Sequence, residues 1–125
     1  MEKTVLESGF YVLRSTNDTN TFKKLEEPVS QEFIQFHFCQ QGSGTFEFNE
    51  GNYQLPLMSK SVILLFNPTR ALPINLNLTP DSTVVSLIIS IKRFHRLFSQ
   101  DADHIPFLSP ENNTKKYYDT KPVSP

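Results

Sequence analysis

Between Glu32 and Gln40, three side chains with chemical potential recur at every second position: the amide of Gln35, the imidazole of His37 and the thiol of Cys39. Residues two apart on a strand share a face, with about 6 to 7 Å between successive side chains. A thiol beside an imidazole is the raw material of a nucleophile, which also needs an electropositive setting to ionise. The burial habits of free cysteine favour the plainer reading, a small buried residue next to a hydrogen-bonded histidine. A lone imidazole without neighbouring ligands does not hold a metal. What the row offers is a set of oriented donors and acceptors for a bound molecule.

The elements that must carry this row are strands. Ile34, Phe36 and Phe38 alternate with Gln35, His37 and Cys39, the period of two of a strand with unlike faces. Upstream, Phe10 to Arg14 predicts a first strand and Ser15 to Asn20 a loop. Downstream, Gly42 and Gly44 break the run as a tight hairpin does, and Thr45 to Asn49 follows. A second turn at Glu50 to Asn52 leads to Tyr53, Leu55 and Leu57, so the pattern predicts two hairpins in a meander. Ser61 to Phe66 (SVILLF) is too short for a typical helix and is stopped by Asn67 and Pro68, which predicts a strand buried on both faces. Leu72 to Leu78 alternates again, and Pro73 within it argues for a sheet edge. Val84 to Ile91 (VVSLIISI) is the last strong strand. Phe94, Leu97 and Phe98 then fall at helical spacing, limited near Ser90 and Ser99. The prolines and asparagines from Ser109 to Pro125 predict an irregular, peripheral tail. About seven short strands with one late helix predict an all-β fold, an antiparallel barrel or sandwich.

Composition narrows the function. A chain of 125 residues is the size of one domain, and 11 Phe with 4 Tyr supply a large apolar payload for one core. Lys and Arg total 12 against 13 acids, a net charge of −1, which gives no footprint for the phosphates of nucleic acid. Lys92, Arg93, His95 and Arg96 fit the solvated face of a packed helix. The single cysteine points to a reducing, cytoplasmic setting. Glu2, Lys3 and Glu7 interrupt any signal peptide, and no apolar run approaches the ~20 residues of a membrane span.

The stretch from Ile34 to Pro68, IQFHFCQQGSGTFEFNEGNYQLPLMSKSVILLFNP, resembles the barrel of AraC-type bacterial transcription regulators: a strand, a Gly-x-Gly turn, a meander, then a strand ending in Asn-Pro. VVSLIISIKRFHRLFS resembles the final barrel strand and following helix of the same family. The resemblance implies a cupin-like (jelly-roll) sensor domain spanning 1–125, with the DNA-binding helix-turn-helix half outside this chain. It further implies a small-molecule effector as partner, compatibility with a homodimer, and no nucleic acid contact through this domain.

Metal-binding cupins are similar too, but their first motif requires two His and a Glu ahead of the glycine. Aligned on Gly42, the Glu slot is Gln35 and the His slots fall between Pro28 and Gln31, where no histidine stands. Thr69 to Leu72, near the place of the fourth ligand, supplies none either. No metal or other cofactor is therefore expected. In cupins the strand before the Gly-x-Gly turn points the Glu slot inward, which implies that Gln35, His37 and Cys39 line the lumen. The apolar pattern alone would bury Ile34, Phe36 and Phe38 instead. A barrel strand covered on both faces reconciles the two, with the aromatics packed outside the lumen. Glu47 and Tyr53 complete the expected ligand-binding set. The alternative function is a stand-alone cupin that binds a small molecule or acts as an enzyme.

Overall fold

A computed structural model describes residues 1–97 and the strand at 117–122. Ten strands and one helix follow in order: β1 (Glu2–Glu7), β2 (Phe10–Asn17), β3 (Lys23–Glu27), β4 (Phe33–Gln41), β5 (Gly44–Phe48), β6 (Tyr53–Leu57), β7 (Ser61–Phe66), β8 (Ile74–Leu78), β9 (Ser82–Ser90), α1 (Ile91–Leu97) and β10 (Tyr117–Pro122). They form two antiparallel sheets, one in the order β1-β2-β9-β4-β7-β10 and the other β3-β8-β5-β6.

The inner faces of the sheets enclose the main core. Alternate residues of β2, β9, β4 and β7 point inward, so Leu13, Ser86, His37 and Ile63 form one cross-strand row. Leu25, Leu76, Phe46 and Leu55 form the facing row of the smaller sheet. The larger sheet is apolar on its outer face as well, where Ile34, Phe66 and Ile89 pack with Phe94 of α1. The Phe36 ring stacks on Phe94 at 6.2 Å. The sequence conflict over which face of β4 is buried thus disappears, because β4 is covered on both.

Several expectations need correction. β4 and β5 do not pair: the chain crosses from the larger sheet to the smaller between them, and β5–β6 is the hairpin. Gly42 makes the corner at φ +77°, where a Cβ would lie 2.8 Å from the Ser82 Cα and closer still to its hydroxyl. Only glycine meets both demands. β8 is not an edge but lies between β3 and β5, since Pro73 precedes the strand and costs it no ladder bond. β2 runs on to Asn17 through residues expected in a loop. Tyr117–Pro122, expected to be irregular, pairs with β7 as the edge of the larger sheet. Phe98, Ser99 and 109–116 lie outside the described residues.

α1 begins where the sequence change from period two to helical spacing places it. The Ser90 hydroxyl caps the helix by accepting from the Arg93 backbone N–H at 3.0 Å. The Glu32 carbonyl accepts from Ile91 N–H at 2.7 Å. Arg93 turns back to form an ion pair with Glu7 on the β1 edge.

Candidate functional site

Gln35, His37 and Cys39 all face the interior and are almost wholly buried. They are not free there. His37 Nε2 lies 2.7 Å from Gln35 Oε1, and His37 Nδ1 lies 2.6 Å from the Ser86 hydroxyl on β9. Gln35 Nε2 donates to the Leu72 carbonyl at 2.6 Å. That bond fixes which end of the amide faces the imidazole: Oε1 is an acceptor, so His37 Nε2 carries the proton. Nδ1 then accepts from Ser86. The imidazole is neutral, and burial pushes its pKa down to about 3. Its ring packs on Phe46 of the opposite sheet with centroids 4.6 Å apart.

Cys39 stands apart from this network. Its thiol donates to the Gln41 and Gly42 carbonyls at 3.3 and 3.4 Å. Burial raises its pKa, offset in part by the Gln41 backbone hydrogen bond and by Lys60. With both His37 nitrogens committed elsewhere, the thiol has no base beside it among the described residues.

The structure does not bring Glu47 and Tyr53 to the row. Glu47 alternates with the buried Phe46 and so lies on the outer face of β5, 3.3 Å from Lys24 Nζ. Tyr53 is at the open start of β6, half-exposed, with its ring 5.9 Å from that of Phe48. Both positions follow from the chain crossing at Gly42, which carries β5 and β6 to the other sheet.

Two polar features escaped sequence reasoning. One is Ser86, 49 residues from His37, which no local pattern connects to it. The other is a hollow of about 270 Å³ at the end of the barrel, between the β5–β6 turn and the β7–β8 loop, lined by Asn67, Arg70, Leu72 and Asn75 with Phe48, Glu50 and the sequence-predicted Glu47. Leu72 joins the interior row to the hollow, because its carbonyl holds Gln35 on one side while the residue lines the hollow on the other. The Asn-Pro stop at Asn67 was the one legible signal here. At the other end of the barrel, Asn17 Nδ2 donates across to the Leu78 carbonyl at 3.1 Å, clipping β2 to the smaller sheet.

Among the described residues, no three of His, Cys, Asp and Glu come together as a metal shell. No helix among them is long and apolar enough to cross a membrane.

The fold is that of a cupin-like β domain. Among solved structures the chain is similar to apo ToxT K231A from Vibrio cholerae, with 14% identity and a TM-score of 0.59 over 94% of this chain and 43% of that one. ToxT is a regulator of the AraC family. Unsaturated fatty acid-bound wild-type ToxT matches at 15% identity and TM-score 0.45, over 70% of this chain and 32% of that one. Oxalate decarboxylase from Bacillus subtilis matches at 9% identity and TM-score 0.33, over 99% and 40%. The chain therefore spans less than half the length of the ToxT chain it matches. No protein-family model matches it, and no curated protein sequence does.

Proposed function

We propose that this chain is the effector-sensing domain of an AraC-type transcription regulator, in which a small molecule bound to the barrel controls DNA binding by a helix-turn-helix domain carried elsewhere in the protein. The observation that carries this reading is the overlay of nearly the whole chain on ToxT. Two residue-level facts support it over a cupin enzyme. The slot for a metal-binding Glu is Gln35, whose amide is spent on Leu72 and His37. The thiol of Cys39 donates to the Gln41 and Gly42 carbonyls and, among the described residues, has no base beside it. On this reading Gln35, His37 and Cys39 are the interior contacts for the effector, while Glu47 and Tyr53, which the sequence reading grouped with them, lie apart from the row on the other sheet. An effector reaching that row has to take over the hydrogen bond that Gln35 Nε2 now donates to the Leu72 carbonyl.

The test is a thermal-shift screen of the purified chain against small-molecule classes, with unsaturated fatty acids included because a ToxT structure holds one. A ligand at a hundred times its Kd adds about 2.7 kcal/mol of stability. The expected result is a hit whose affinity falls by roughly 1 to 3 kcal/mol in His37→Ala, as a hydrogen bond partner is left unpaired. The same hit should alter promoter activity in a reporter driven by the full-length gene product. A coding sequence that stops at Pro125, or a hit that leaves the reporter unchanged, would overturn the regulatory reading.

A further inference from the structure

Two residues lining the hollow at the barrel end each carry a buried polar atom that has no partner among the described residues. Asn67 is 3% exposed, and its Nδ2 has no hydrogen-bond acceptor among the described residues. The orientation of that amide is not arbitrary. Oδ1 accepts from the Thr69 backbone N–H at 3.0 Å and from the Thr69 hydroxyl at 2.8 Å, an Asx turn that a flipped amide would turn into donor against donor. Asn75 Oδ1 is likewise buried and has no donor. A buried group left unpaired costs about 1 to 3 kcal/mol, so two lining one hollow call for a common explanation.

Three charged residues line the hollow with these amides: Glu47, Glu50 and Arg70. Arg70 is exposed on the β7–β8 loop and Glu50 stands on the β5–β6 turn; both line the hollow, and among the described residues neither has an ion-pair partner. Glu47, by contrast, is engaged by Lys24. The set therefore comprises donors at Asn67 and Arg70, acceptors at Asn75 and Glu50, and apolar surface from Phe48 and Leu72. Donors recognise a carboxylate and acceptors an ammonium group. The volume of about 270 Å³ is at the small end for ligand sites, and too small for a large cofactor.

We infer that this hollow is a binding site for a small zwitterion, a free α-amino acid with an apolar side chain: Asn67 and Arg70 hold the carboxylate, Asn75 and Glu50 the ammonium group, and Phe48 and Leu72 the side chain. The inference deepens the sensor reading by naming a ligand chemistry, and rests on it only for the purpose of the binding. Through Leu72, whose carbonyl holds Gln35, occupancy would be felt by the interior row.

The probe is L-leucine, titrated into the 125-residue chain by calorimetry and followed by NMR of side-chain amides. Saturable binding that perturbs the Asn67 amide signals is expected. N-acetyl-leucine and leucinamide, which each lack one charge, should bind about tenfold more weakly or worse. Asn67→Asp keeps the oxygen that the Asx turn requires and removes the donor; with Arg70→Ala, an exposed position, it should weaken binding by a similar factor while circular dichroism stays unchanged. No binding of L-leucine at millimolar concentration, or equal binding of the two one-charge analogues, would overturn the inference and leave the amides to ordered water. L-leucine binding without any effect in the full-length reporter would leave the site standing and sink the sensor reading. A different effector found in the screen, with no L-leucine binding, would do the reverse.

Discussion

His37 and Gln35, two residues apart on β4, are joined at 2.7 Å inside the barrel, and the amide's second bond to Leu72 makes His37 Nε2 the donor. The interior of this protein thus holds a neutral imidazole whose two nitrogens are both engaged by hydrogen bonds. Protonation would put a second donor on Nδ1, which now accepts from Ser86, and a charge in an apolar core.

Stability should therefore fall in acid. The His37 pKa drops from an ordinary 6.5 to about 3 on folding. Between those values the unfolded chain binds the extra proton and the folded chain does not, so unfolding becomes easier as pH falls from about 6.5 towards 3. A gap of that size corresponds to roughly 3 to 5 kcal/mol by pH 3. Tm measured against pH by circular dichroism should drop more steeply for the natural chain than for His37→Gln, which has nothing to titrate at that position. Parallel curves would refute the assignment.

Removing the Ser86 hydroxyl leaves a buried imidazole nitrogen without its donor, so Ser86→Ala should cost about 1 to 3 kcal/mol in urea unfolding. Phe46→Ala, across the core from His37, should cost about 3 to 5 kcal/mol through the cavity it leaves. If Ser86→Ala proves neutral, the hydrogen bond to His37 contributes no net stability.

Gly42 and Gly51 share positive φ but not surroundings. At Gly42 a Cβ meets Ser82 backbone and side chain, while at Gly51 the nearest atom is Glu47 Oε2 at 4.0 Å. Gly51→Ala should lose about 1 kcal/mol from backbone strain alone. Gly42→Ala should lose clearly more, because the corner that carries the chain between sheets has to shift. Equal losses in chemical denaturation would show that strain, not crowding, governs both sites.

With a net charge of −1, the chain has few counterions to release from DNA. In fluorescence anisotropy at moderate salt, it should bind duplex DNA no better than an inert acidic protein. A salt-dependent, submicromolar affinity would mean that Lys92, Arg93 and Arg96 contact phosphate.

The elements that local pattern dictates were readable from the residues alone. The alternation from Ile34 to Cys39 specifies a strand because the backbone pleat has a period of two, and β7 is evident from SVILLF because six apolar residues suit a strand and not a helix. The shift to helical spacing after VVSLIISI announces α1 in the same way. Tertiary structure decided what depends on distant partners. β1 (EKTVLE) and β3 (KKLEE) are strands because β2 and β8 offer edges to pair with, not because of their own charged sequences. β4 and β5 look like a hairpin in sequence and are not one, since Gly42 turns the chain against Ser82, 40 positions away. The candidate site divides along the same line: the inward row of Gln35, His37 and Cys39 follows from strand period once β4 is central, whereas the bond to Ser86, the tether to Leu72 and the hollow around Asn67 join residues that only sheet pairing brings together. Long-range pairing leaves no periodic trace in either partner, so neither segment alone can announce it.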